Sequence, residues 1–119
     1  MHGDSTFPKS EHLRHPWQFR LLYDTGRRCE GWLLVLYALE TDNGGRQLGV
    51  VTSRRVGNAV ARNRARRLLR EAYRLNKLKL KPHLQLVMIA RSAIREKSLR
   101  DVESEMLALW ERTGVLCPT

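Results

Sequence analysis

Residues 54–74 constrain this chain more than any other stretch. From Arg54-Arg55 through Val56-Gly57-Asn58 to Arg74 it holds eight arginines against one acid, Glu71. Wound at about 100° per residue, a helix here sorts its side chains into two faces. Ala61, Ala65, Leu68, Leu69, Ala72 and Leu75 share one side. Arg62, Arg66, Arg70 and Arg74 step round the other, with Asn63 and Arg67 beside them and Arg64 at the border. One face is built to pack and the other to meet something strongly negative.

Like charges three or four residues apart on a helix repel by a few tenths of a kcal/mol per pair. Few acids stand near enough to offset this, so the stripe destabilises the isolated helix. A polyanion relieves the repulsion, and each phosphate neutralised releases condensed counterions. Arginine suits that partner, because its planar fork matches phosphate oxygens and base edges and also stacks. A solvated face with no partner would mix signs more evenly.

The whole chain points the same way. Its 119 residues support one domain with one modest core, and a net charge of +10 implies an anionic partner. No apolar run reaches the ~18 residues of a membrane span, and the start lacks a secretion signal. Cys29 and Cys117 form neither a disulfide framework nor a metal site by spacing. Reduced thiols in the cytoplasm are the simplest account.

Residues 1–14 lack periodicity and are expected to form a loose tail. A single domain over 15–115 and a short tail over 116–119 complete the chain. Pro16 and Gly26 bracket a short aromatic helix in which Phe19 and Tyr23 lie four apart, on one face. Those rings serve either as core or as a stacking wall for unpaired bases. Gly31 to Leu39 is apolar on both alternate faces and reads as an interior strand. Thr41-Asp42-Asn43-Gly44-Gly45 reads as a hairpin loop into a second strand, Gln47 to Ser53, so an antiparallel pair is expected. The basic helix should run from about Asn58 to Leu75. A third strand, Leu84 to Ala90, is reached through it and should lie parallel to a neighbour, with Arg91 at its end near the basic helix. Ser98-x-x-Asp101 signals a last helix, with a core stripe of Leu99, Val102, Met106, Leu109 and Trp110 and a stop at Gly114.

The chain shows no catalytic set of its own. Its acids are scattered, and His2, His12, His15 and His83 have no ligand-like partner at i+4. Ser53 has no evident base beside it. Protein nucleases ordinarily cluster carboxylates or build on a histidine. The chain reads as a binder, and chemistry should belong to its partner.

Val56-Gly57-Asn58-Ala59-Val60-x-Arg62-Asn63-Arg64-x-x-Arg67, followed by Leu69-Arg70-Glu71, closely resembles the Arg-Asn-Arg signature of the bacterial ribonuclease P protein family. Phe19-Arg20-Leu21-Leu22-Tyr23-x-x-Gly26, Leu33 to Leu39, Gly49 to Arg55 and Met88-Ile89-Ala90-Arg91 are similar to further segments of that family, in the same order. The similarity spans about residues 13 to 113. It departs mildly at Tyr23, at the Arg54-Arg55 pair, at Ala65 and around His12, His15 and Pro16.

The resemblance implies an α/β sandwich with a mixed sheet of about four strands. The fourth would be a short piece near Arg27 to Glu30, and the crossover through the basic helix would be left-handed, against the usual rule. It also implies two RNA surfaces. Arg54, Arg55, Asn58, Arg62, Asn63, Arg64, Arg66, Arg67, Arg70 and Arg74 would dock on the catalytic RNA of ribonuclease P. Phe19, Tyr23, Val51, Ser53 and Arg91 would line a groove for the 5′ leader of precursor tRNA. That RNA and its Mg²⁺ would carry out hydrolysis, with the protein as a monomer in a 1:1 complex and no metal tightly bound by the protein alone. The rival readings are a ribosomal-type binder of structured RNA, a helix-turn-helix DNA binder and a free-standing nuclease. The strands preceding the basic helix argue against the second, and the scattered acids against the third.

Overall fold

The structure, a computed structural model, describes residues 7–118. Seven main elements follow in order: α1 (Pro16–Thr25), β1 (Arg27–Glu30), β2 (Leu34–Glu40), β3 (Arg46–Val51), α2 (Ala59–Asn76), β4 (Leu84–Ala90) and α3 (Leu99–Thr113). The strands form one sheet in the order β1-β2-β4-β3. β1 and β4 each pair antiparallel with β2, while β3 lies parallel to β4.

Local chemistry sets the helix ends. Pro16 opens α1, where the Gln18 side chain accepts from the backbone N–H groups of Arg14 and His15. The Asn58 side chain accepts from the N–H of Ala61 and caps α2. Ser98 and Asp101 cap α3 reciprocally, and Gly114 ends it in the left-handed conformation.

Alternation along the strands divides the sheet into two covered faces. Leu34, Leu36, Ala38, Leu48, Leu86, Met88 and Ala90 point into the main core beneath α2 and α3, where Leu69, Tyr73, Val102, Met106, Leu109 and Trp110 are buried. Tyr37, Leu39, Val51, Val87 and Ile89 point the other way, against Leu13, Phe19 and Leu22. The two-sided apolar reading of β2 is explained by its central position. The core stripe of α3 is also as expected.

Three expectations need correction. β2 and β3 are not a hairpin pair, because β4 inserts between them; the loop reverses the chain, but the apolar β4 takes the interior position. Strand β2 starts at Leu34, since Gly31–Leu33 form the turn out of β1. Leu75 is 46 % exposed, whereas Tyr73 and Asn76 are buried in its place. The buried arc of α2 is centred between Ala65 and Asn76, about 100° away from Leu75.

Residues 1–6 of the expected tail lie outside the described residues. Residues 7–14 pack against the domain. The Leu13 N–H donates to the Leu48 carbonyl, and Glu11 receives both Lys77 Nζ, at 2.8 Å, and the Tyr73 hydroxyl, at 3.1 Å. Lys77 is only 4 % exposed, so this ion pair fastens the N-terminal segment to the end of α2. At the other end, Leu116 bridges to Leu80. Cys29 and Cys117 are free thiols.

Candidate nucleic-acid interface

The entry to α2 is a turn, Arg54–Val56, followed by Gly57 at φ +144°, a conformation that L side chains rarely adopt. A Cβ there would also stand 2.9 Å from that of Ala61. The turn sets Arg54 and Arg55 exposed ahead of the helix, and Val56, fully buried, pins it to the core. The Ser53 hydroxyl accepts from the Arg55 N–H at 3.3 Å.

Along α2 the outward arginines form a cationic surface. The guanidiniums of Arg54, Arg55, Arg62, Arg67 and Arg70 make no hydrogen bond or ion pair to any described residue. Arg66 donates to the Asn63 side chain at 3.0 Å, and Arg64 to the Lys97 carbonyl at 2.6 Å. Only at the C-terminal end of the stripe does an acid intervene: Glu71 receives Arg74 at 2.6 Å, which holds its carboxyl below the usual range. Asn63, Arg66, Arg67, Arg70, Glu71 and Arg74 enclose a shallow concavity of about 330 Å³. Stabilising a polyanion is what this uncompensated charge can do.

A groove lies on the opposite sheet face, beside α1. Residues directly opposite across strands share a face, so the register defines two rungs. Arg28, Tyr37, Val87 and Gly49 form one; Glu30, Val35, Ile89 and Val51 form the next. α1 lies over the first rung. Phe19 sits on Gly49, where a Cβ would meet its ring at 2.5 Å, and Tyr23 packs edge-on against Tyr37 with ring centroids 4.9 Å apart. Burial, then the neighbouring Tyr37, raises the Tyr23 hydroxyl above its ordinary pKa. The second rung is left as a floor between this aromatic wall and the strand ends. Phe19 is half-buried and Tyr23 is 41 % exposed, so both rings remain partly accessible.

The placements of the expected groove residues differ. Phe19, Tyr23 and Val51 come together as wall and floor. Ser53 is exposed just beyond β3. Arg91 does not turn toward α2: its guanidinium donates to the Glu30 carboxylate and, at 2.9 Å, to the Gly31 carbonyl, so it reaches across β2 to the β1–β2 turn. Glu30 also receives Arg28 at 3.3 Å, and Arg28 donates through Nε to the Tyr37 hydroxyl at 3.1 Å. Arg91 first, then Arg28, hold the Glu30 carboxyl below its ordinary range. Arg28 and Tyr37 were invisible as groove residues in the sequence, since only the β1–β2 register puts them there.

A wider concavity, about 960 Å³, lies between α3 and the β1–β2 turn, beside the 75 % exposed Trp32. Its lining carries three acids, Glu30, Asp101 and Glu105, against three bases, Arg91, Lys97 and Arg112. That balance does not select a polyanion. Among the described residues, no three His, Cys, Asp or Glu side chains converge as metal ligands, and no helix is long and apolar enough to cross a membrane.

Comparison with known proteins places the chain as a whole. The family model described as Ribonuclease P matches residues 7–114. The ribonuclease P protein component of Clostridium novyi (strain NT) is 35 % identical over 109 residues, covering 90 % of this chain and 96 % of that protein. The corresponding protein of Clostridioides difficile (strain 630) is 34 % identical, covering 92 % and 96 %. Among solved structures, the RNase P protein of Staphylococcus aureus superposes with a TM-score of 0.81 at 21 % identity, covering 92 % of this chain and all of that one. The RNase P protein of Thermotoga maritima gives 0.76 at 26 % identity, covering 86 % and 96 %. The α+β architecture, with three helices and a four-stranded mixed sheet, is the one those structures share. With its arginine helix, its aromatic groove and this likeness along nearly its whole length, the chain belongs to the ribonuclease P protein family.

Proposed function

We propose that the chain is the RNA-binding subunit of ribonuclease P and promotes endonucleolytic removal of the 5′ leader from precursor tRNA. α2 and its entry turn, through Arg54, Arg55, Asn58, Arg62, Asn63, Arg64, Arg66, Arg67, Arg70 and Arg74, dock on the catalytic RNA. The groove bounded by Phe19, Tyr23 and Val51, with Ser53 and Arg91 at its ends, takes the single-stranded leader. Aromatic stacking and backbone charge tolerate many leader sequences.

Hydrolysis is carried out by the RNA with Mg²⁺ that the RNA mainly holds. The protein captures substrate and stabilises the active arrangement of RNA and metal, as a monomer in a 1:1 complex in the cytoplasm. The observation that carries this reading is the row of outward guanidiniums on α2, where Arg62, Arg67 and Arg70 meet no carboxylate among the described residues and Glu71 engages Arg74 at the far end. Burial in intramolecular ion pairs would have left no cationic surface to offer.

The test is reconstitution with the catalytic RNA across Mg²⁺ concentrations. The full chain should raise cleavage of precursor tRNA most at low Mg²⁺. Phe19→Ala should weaken leader-bearing substrate by about 1–3 kcal/mol and leave leaderless tRNA unchanged. Tight binding of the RNA without any gain in cleavage would instead favour a structured-RNA binder of the ribosomal type.

A further inference from the structure

The groove floor, Val51–Ile89–Val35–Glu30, crosses all four strands, a path of about 14 Å at the usual strand spacing. It begins beside the entry to α2 and ends, at the β1 edge, on a carboxylate. That carboxylate is gripped from two sides. Arg91 arrives from the end of β4 and Arg28 from the neighbouring rung of β1. Each oxygen of Glu30 faces a different guanidinium: Oε1 receives Arg28 and Oε2 receives Arg91.

Two further contacts hold the guanidiniums in place. Arg91 is tied to the Gly31 carbonyl, and Arg28 to the Tyr37 hydroxyl. The three side chains are about half exposed, at 50 % for Arg28, 47 % for Glu30 and 41 % for Arg91, so an incoming anion can reach them. A planar carboxylate between two forks presents much the same oxygen pattern as a phosphodiester.

We propose that Arg28 and Arg91 form a clamp for one backbone phosphate of single-stranded RNA lying along the groove, and that Glu30 occupies the clamp until that phosphate displaces it. The proposal rests on the leader-groove reading above and adds Arg28 as a phosphate contact and Glu30 as an internal competitor. The carboxylate keeps the guanidiniums aligned without RNA, and it lowers the local charge from +2 to +1. Weak anions are therefore excluded, while a strand already stacked on Phe19 and Tyr23 gains a second anchor.

The experiment uses the full chain and a fluorescent, unstructured oligouridine, with affinity read by anisotropy across a salt series. Four variants are compared with the parent: Glu30→Gln, Arg28→Ala, the Arg28→Ala/Glu30→Gln double and Phe19→Ala. Circular dichroism verifies their folding, which half-exposed positions should leave intact. Glu30→Gln should tighten binding roughly tenfold, and Arg28→Ala should weaken it roughly tenfold in both the parent and the Glu30→Gln background. Arg28→Ala should also lower the slope of log K against log salt by about 0.7, the share of one phosphate on a single strand. If Phe19→Ala weakens binding but Arg28→Ala in the Glu30→Gln background does not, the clamp is overturned and the groove stands. If Phe19→Ala has no effect, the groove reading falls and the clamp with it.

Discussion

Tyr73 shows how packing locates a residue that the helical pattern leaves unassigned. It lies among the arginines of α2, yet its side chain is fully buried against Trp110 and Phe7, with its hydroxyl donating to Glu11. Burial first, and then the charge of Glu11, push its pKa far above the ordinary value. Below about pH 10 both folded and unfolded chains carry the neutral phenol. Above it the unfolded chain ionises and the folded one resists, so this contribution to stability is lost as pH rises. Tyr73→Phe should therefore flatten the alkaline fall in stability by about 1.4 kcal/mol per pH unit, while costing about 0.5–1.5 kcal/mol near neutrality. Urea unfolding at about pH 9 and about pH 11 measures both.

Among the elements, α3 acts on the groove without touching it. Its Glu105 carboxylate accepts from the backbone N–H groups of Trp32, Leu33 and Leu34 at 2.8, 2.7 and 3.0 Å. It thereby shapes the β1–β2 turn, which in turn supplies the Gly31 carbonyl to Arg91. Glu105→Ala strands these donors and should cost about 1–3 kcal/mol, read as a lowered Tm. Leader affinity should fall with it while binding of the catalytic RNA through α2 stays. The elements differ in how far sequence exposes them. Both long helices are legible because Asn58, Ser98 and Asp101 cap them and the apolar residues repeat at helical spacing. β1 is not, since Arg27-Arg28-Cys29-Glu30 has no alternating apolar pattern, and only the family resemblance marks it. The Thr41–Gly45 turn is visible locally, but nothing local records that β4 separates the strands it joins. Likewise Phe19 and Tyr23 can be paired by spacing, whereas Arg28 reaches the groove through register alone.

For the molecule as a whole, charge segregates by surface. α2 carries uncompensated arginine, while acids such as Glu30, Glu40 and Glu11 are spent on ion pairs elsewhere. Affinity for structured RNA should accordingly depend steeply on salt. Replacing Arg62, Arg67 and Arg70 together by Ala should lower the slope of log K against log salt by about 0.7–0.9 per arginine, without loss of Tm. Filter binding from low to high salt measures the first and thermal unfolding the second.

The strand order has a consequence for biosynthesis. β2 and β3 share no hydrogen bonds with each other; each is completed by β4, which leaves the ribosome after the arginine helix. A nascent chain that has exposed residues 54–74 still lacks the strand that closes the sheet. Its cationic helix lacks the central strand beneath it until residue 90 has emerged, and its neighbour α3 until residue 113. The cationic surface is thus seated late, so an arrested, prematurely terminated product presents the charge but not the architecture that aims it.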